Sequence, residues 1–149
     1  MKQLSSFFVV MILLPVFAGC GAIIDFFQPS TTSVTLINNS DFPVDVTLFI
    51  DDEQNIPEDA LTEVGEQIDR TLQPGEVASF SRDCDELQAI IVEDADLRVV
   101  VGVSPETSTD VLRDGDDFGC GDRIIFTFDH SALLVDFNVT VDVQERTSL

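Results

Sequence analysis

Between residues 110 and 122 the chain reads Asp110-Val111-Leu112-Arg113-Asp114-Gly115-Asp116-Asp117-Phe118-Gly119-Cys120-Gly121-Asp122, five carboxylates and three glycines in thirteen residues. Calcium takes six to eight hard oxygen ligands, and aspartates clustered on a glycine-rich loop supply them. Two readings stand side by side. In one, Asp114, Asp116, Asp117 and Asp122 hold calcium; in the other, the segment is a solvated acidic loop whose glycines make turns.

The spacing excludes a calcium loop of the EF-hand pattern. Asp114, Asp116 and Gly119 match its first, third and sixth positions, but Phe118 replaces the fifth ligand and Ile125 the closing bidentate glutamate. Catalytic chemistry is thinly supplied elsewhere. Nucleophilic or general-base catalysis needs a reactive group held beside its partner, and His130 is the single histidine. It falls in an expected turn, residues 129–132, and reads as a solvated turn residue. Asp129 is its chain neighbour, and neighbours on a strand or turn point apart, so no Ser-His-Asp site with Ser131 is supported. Carboxylate pairs for sugar cleavage are available by number alone, but the chain has neither tryptophan nor tyrosine to stack a sugar ring.

Lys2 precedes a mostly apolar run over residues 4–17, which ends in Phe17-Ala18-Gly19-Cys20. This resembles the lipobox-type signal peptide of a bacterial lipoprotein precursor. The resemblance implies cleavage before Cys20 and lipidation of its thiol with a palmitate-type anchor, leaving Cys20 as the new N-terminus. An ordinary secretory signal cut elsewhere is the alternative. The run is shorter than the roughly 18–20 apolar residues that span a bilayer, and it carries Pro15. Gly21, standing where aspartate would retain a lipoprotein at the inner membrane, resembles the sorting pattern for the outer membrane in diderm bacteria. No family resemblance is apparent in the remainder.

With Cys20 lipidated, two thiols remain, Cys84 and Cys120. In an oxidising envelope they are expected to pair as a structural disulfide. A redox or zinc pair is disfavoured, since there is no Cys-x-x-Cys spacing and no second histidine. Loss of Lys2 would leave six arginines, no lysine and a net charge one unit more negative than the −21 of the whole chain. Such a surface excludes nucleic acid, whose phosphates require lysine and arginine. It is also repelled by anionic head groups, so membrane attachment falls to the lipid. High negative charge suits a saline or divalent-rich medium that screens self-repulsion.

The elements behind these residues are β-strands. Valine, isoleucine and phenylalanine dominate the apolar content and pack well on a pleated surface; Phe42, Phe49, Phe80, Phe118, Phe126, Phe128 and Phe137 are core candidates. Alternation of period two, bounded by turn residues, predicts strands over 33–37, 44–50, 68–72, 77–81, 88–92, 97–103, 124–128 and 133–143. Gln73-Pro74-Gly75-Glu76 predicts a type II turn. Glu93-Asp94-Ala95-Asp96 predicts a hairpin turn. Residues 57–65 open on proline and acids and close on glycine, which predicts a short helix.

The expected architecture is an all-β, two-layer antiparallel β-sandwich, broadly Ig-like, with seven or eight strands and at most one short helix. The expected organisation is signal peptide 1–19, lipidated cysteine and tether 20–32, sandwich 33–145 and tail 146–149, with Ile23, Ile24, Phe26 and Phe27 of the tether either in the membrane interface or packed on the domain edge as an extra strand. Functionally the sequence points to a non-enzymatic, lipid-anchored cell-envelope module. It would be extracytoplasmic, without a required cofactor and with an envelope protein as partner. Two alternatives stay open: a calcium-dependent adhesion module using residues 110–122, and a small envelope hydrolase with an unidentified site.

Overall fold

The computed structural model describes residues 30–99, 104–130 and 136–146. Two sheets pack face to face as a β-sandwich. One has the order β4-β1-β8-β9, with β1 Thr31–Asn38, β4 Val77–Asp83, β8 Arg123–His130 and β9 Phe137–Gln144. The other has the order β3-β2-β5-β6, with β2 Val44–Asp51, β3 Glu66–Leu72, β5 Ala89–Leu97 and β6 Glu106–Thr107, and β7 Leu112–Arg113 also on β5. We call them the β1 sheet and the β5 sheet. All pairings are antiparallel except that of β1 with β8, which is parallel. Strand count exceeds expectation because β6 and β7 are two residues each, too short to show a period.

Alternation on β2 buries Val44, Val46, Leu48 and Ile50 and turns Asp45, Thr47, Phe49 and Asp51 outward. Val34 and Leu36 of β1, with Ile124, Phe126 and Phe128 of β8, fill the facing layer. Phe118 and Phe137 complete this main core, and Phe42 and Phe80 pack against it half-buried. Phe49 lies on the opposite face of the β5 sheet, in a second small core with Ile56, Leu61, Ala89 and Ile91. That core is roofed by α1, Glu58–Val64, the helix anticipated over 57–65.

Two anticipated turns lie elsewhere. Residues 93–96 are inside β5, not at a hairpin. Thr47 pairs with Asp94 while Leu48 pairs with Val92, so Glu93 is the extra residue of a β-bulge. The bulge shifts the inward phase from Ile90 and Val92 to Ala95 and Leu97, and three acids around it imitate a turn. The strand expected over 97–103 is represented only by Leu97, the end of β5; residues 100–103 lie outside the described residues. Likewise β8 runs on through Asp129 and His130, and residues 131–135 lie outside the described residues. The type II turn is present, with Glu76 N–H bonded to Gln73 C=O at 2.9 Å and Gly75 at φ 73°.

Candidate functional site

Cys84, directly after β4, and Cys120, in the loop before β8, form a disulfide with Cα atoms 5.3 Å apart. The bridge passes over the start of β1, which separates β4 from β8. Buried Thr32 places its hydroxyl 3.8 Å from Cys84 Sγ and 3.5 Å from Gly119 C=O. Cys20 lies outside the described residues.

The acidic segment 110–122 is more ordered than a solvated loop. Asp114 and Phe118 form a β-bridge around a turn at Gly115, φ 79°. Asp117 Oδ2 accepts the Arg113 N–H at 2.9 Å; Asp122 accepts the Gly119 N–H at 2.8 Å and the Arg146 N–H at 3.1 Å. These carboxylates hold turns. Asp116, Asp117 and Asp122 line an open depression with Glu145 and Arg146. Among the described residues, the carboxylates that bring three ligand atoms within 4.8 Å of one another are Asp94, Asp96 and Glu106.

That second group belongs to the outer face of the β5 sheet. Register lines up Thr71, Asp45, Asp96 and Glu106 in one row and Asp69, Thr47 and Asp94 in the next. Like charges directly opposite on a sheet repel. Burial raises the Asp96 carboxyl above its ordinary range, and the charges of Asp94, Glu106 and Asp45 push the same way. Arg98 Nε sits 2.6 Å from Asp45, and the Thr71 and Thr47 hydroxyls donate to Asp45 and Asp69 at 2.6 and 3.0 Å. The sequence signal for this patch is the alternation Asp94-Ala95-Asp96, obscured by its resemblance to a turn.

The outer face of the β1 sheet is chemically different. Its rows are Ser81-Ser33-Arg123-Gln144, Ser79-Thr35-Ile125-Asp142 and Val77-Ile37-Thr127-Thr140 across β4, β1, β8 and β9. Arg123 and Asp142 stand in these rows among small hydroxyl, amide and aliphatic side chains, and Asp83 beside Thr31 and Asp129 beside Asn138 extend the face at its ends.

His130 is not a solvated turn residue. Its side chain, on the last residue of β8, is only 10% exposed, with Nε2 3.7 Å from Asp41 Oδ2 and the ring edge-on to Phe42 at 5.6 Å. Nδ1 has no hydrogen-bond partner among the described residues. Asp129 instead accepts the Asn39 amide at 2.5 Å, so the two neighbours face apart as anticipated.

No protein-family model matches the chain, and no curated protein matches it in sequence. Among solved structures, it is similar to the T6SS lipoprotein TssJ1 from Pseudomonas aeruginosa, with 15% identity, TM-score 0.48 and coverage of 79% of this chain and 98% of that one. A protein from Eubacterium rectale aligns with 18% identity and TM-score 0.42 over 80% of this chain and 94% of its own. At this level of similarity neither supplies a functional assignment.

Proposed function

We propose that the chain is a lipid-anchored, non-enzymatic binding module of a bacterial cell envelope, attached through Cys20 and displaying its sandwich to a protein partner. The observation that carries the reading is the contrast between the two outer faces: five acids in seven aligned positions on the β5 sheet, against four charges in sixteen on the β1 sheet, Arg123 and Asp142 in its central rows and Asp83 and Asp129 at its ends. Surfaces divided in this way present a partner with a charged side that steers and a neutral side that can be desolvated cheaply. The lipobox-like residues 17–20 support an extracytoplasmic address, with the outer membrane the favoured one in a diderm.

Two measurements test this. Cys20→Ser should move the protein from the membrane fraction to the soluble fraction, whereas retention on membranes would remove the lipid anchor from the account. Photo-crosslinkers placed at Thr127, on the neutral face, and at Thr47, on the acidic face, should give a discrete adduct in intact envelopes from one of the two. No adduct from either would sink the binding reading.

A second reading, calcium-dependent adhesion through residues 110–122, is favoured by the depression that gathers Asp116, Asp117, Asp122 and Glu145. Arg146 lines the same depression, and its backbone N–H already donates to Asp122. A rise in melting temperature with calcium and not magnesium at constant ionic strength, lost in the Asp114→Asn, Asp116→Asn double variant, would favour it over the first.

A further inference from the structure

Among the described residues, the edges of the two sheets are guarded unequally. Edge strands are ordinarily protected by charge, proline, bulges or cover. β3 carries Glu66, Asp69 and Arg70, and β9 has β6 lying against it. β4 runs Val77-Ala78-Ser79-Phe80-Ser81 with no charge, proline or bulge before Arg82. The Arg82 charge is itself engaged: NH2 lies 2.6 Å from Glu66 and the guanidinium sits over the Phe80 ring.

The hydrogen-bond phase of β4 is set at both ends. Cys84 N–H donates to Ser30 C=O, and Asn38 N–H to Glu76 C=O, each at 2.9 Å. Antiparallel ladders alternate, so Ala78, Phe80 and Arg82 bond β1, while the N–H and C=O groups of Val77, Ser79 and Ser81 point away from it along the open edge. At the far end Ser81 C=O takes the Arg82 guanidinium at 3.3 Å, and Asp83 C=O takes the N–H groups of Glu86 and Leu87. Among the described residues, the stretch left open is thus 77–81, about 13 Å of strand. Val77, 59% exposed, marks its beginning. Acids bracket it: Glu76 on one side, and Asp83, Asp85 and Glu86 on the other.

We infer that the β4 edge takes up an extended segment of a partner protein as an added strand, and that this segment has a short uncharged core with lysine or arginine at each end. The inference rests on the binding-module reading and names the part of the surface that binds. Main-chain bonds to Val77, Ser79 and Ser81 supply the pairing, and the flanking acids supply charge complementarity. A second copy of this chain is a poor occupant. Antiparallel β4-to-β4 pairing lays Glu76 beside the acids of the other copy's far end, and parallel pairing lays each acidic end beside its own kind. Both arrangements bring together two bodies of charge −21.

The test uses the full chain and two synthetic peptides that share one alternating valine–threonine core, flanked by arginines in one and by glutamates in the other. The arginine-flanked peptide should bind about tenfold or more tightly than the glutamate-flanked one, weaken with added salt, and slow amide exchange at Val77, Ser79 and Ser81. Ser79→Pro, which removes an N–H that β1 does not use, and Ser81→Lys, which guards the edge without touching the ladder, should each cost about tenfold or more in affinity. Glu63→Gln, at an exposed position of α1, should leave binding unchanged. Equal binding of the two peptides, a greater loss from Glu63→Gln than from Ser79→Pro, or peptide-free dimerisation protecting the same three amides would overturn the inference. If the peptide fails while crosslinks still form in the envelope, the edge assignment alone falls; if no crosslink forms, the binding-module reading falls and the edge assignment, which rests on it, falls too.

Discussion

Asn38 is a polar side chain fully buried between the sheets, and every part of it is used. Its Nδ2 donates to Phe42 C=O at 2.8 Å and to Leu72 C=O at 3.0 Å, and its Oδ1 accepts the Ser40 N–H at 2.9 Å. It therefore ties the end of β1 to the end of β3 in the other sheet. Asn38→Ala would leave buried carbonyls and an N–H short of partners, and should lower the unfolding free energy by about 2–4 kcal/mol in urea titration. Asp96 is the opposite case, a residue that costs stability where it stands. Its carboxyl is raised above the unfolded value of 3.8 by burial and by Asp94, Glu106 and Asp45, so the folded state binds the proton more tightly than the unfolded state. The Asp96 contribution is therefore favourable below that value and is lost as pH rises through the folded pKa. Asp96→Asn should stabilise the protein at neutral pH by on the order of 0.5 kcal/mol, the size of a cross-strand charge pair, with the gain shrinking as pH is lowered towards 4. A variant less stable than the parent at pH 7 would show that the Asp96 carboxylate is needed in its charged form.

At the scale of elements, Gly65 shows how a helix end can be right for an unexpected reason. Glycine after a helix commonly supplies a positive φ, but Gly65 has φ −62°. What the site requires is room. A Cβ there would lie 2.5 Å from Leu61 C=O and 2.9 Å from Ile50 C=O, both backbone atoms. Gly65→Ala should cost about 1–3 kcal/mol through overpacking, and a neutral result in thermal denaturation would mean that α1 shifts freely on its small core. The disulfide acts on a larger piece. It closes 36 residues that include β5, and reducing it should lower stability by about 3–4 kcal/mol through the unfolded chain's entropy, read as a fall in urea midpoint on adding a reductant. These elements also show what the residues spell out locally. β1, β2 and β4 alternate in register with the core and were legible, as were α1 and the turn at Gly75. β5 was not, because one extra residue, Glu93, breaks the period and the acids beside it look like a turn. The acidic patch escaped for a related reason: Asp45, Asp96 and Glu106 come from three segments, and only strand register aligns them. The segment 110–122 announced its composition but not its geometry, since hydrogen bonds to backbone N–H groups direct Asp117 and Asp122 into separate turns.

For the whole molecule the question is whether charge helps or hinders the fold. The chain carries 28 acids against seven basic residues, while the described residues contain two arginine–carboxylate ion pairs, Arg82 with Glu66 and Arg98 with Asp45. Exposed pairs of this kind contribute about 0–1 kcal/mol each, whereas repulsion is spread over the acidic face and every loop that bears carboxylates. Repulsion should prevail, so screening should stabilise. The Debye length falls to about 10 Å at 0.1 M salt, well above the 4.8 Å within which Asp94, Asp96 and Glu106 bring their ligand atoms together. Melting temperature should accordingly rise steeply between low and physiological ionic strength and continue upward more slowly, with sodium and potassium chloride equivalent. Neutralising Asp94 and Asp96 together to asparagine should flatten the early part of that curve, because it lowers the net charge that dilute salt screens. A melting temperature that falls with salt would mean that the few ion pairs outweigh the many like-charge contacts, and the acidic face would then have to be regarded as a stabilising network.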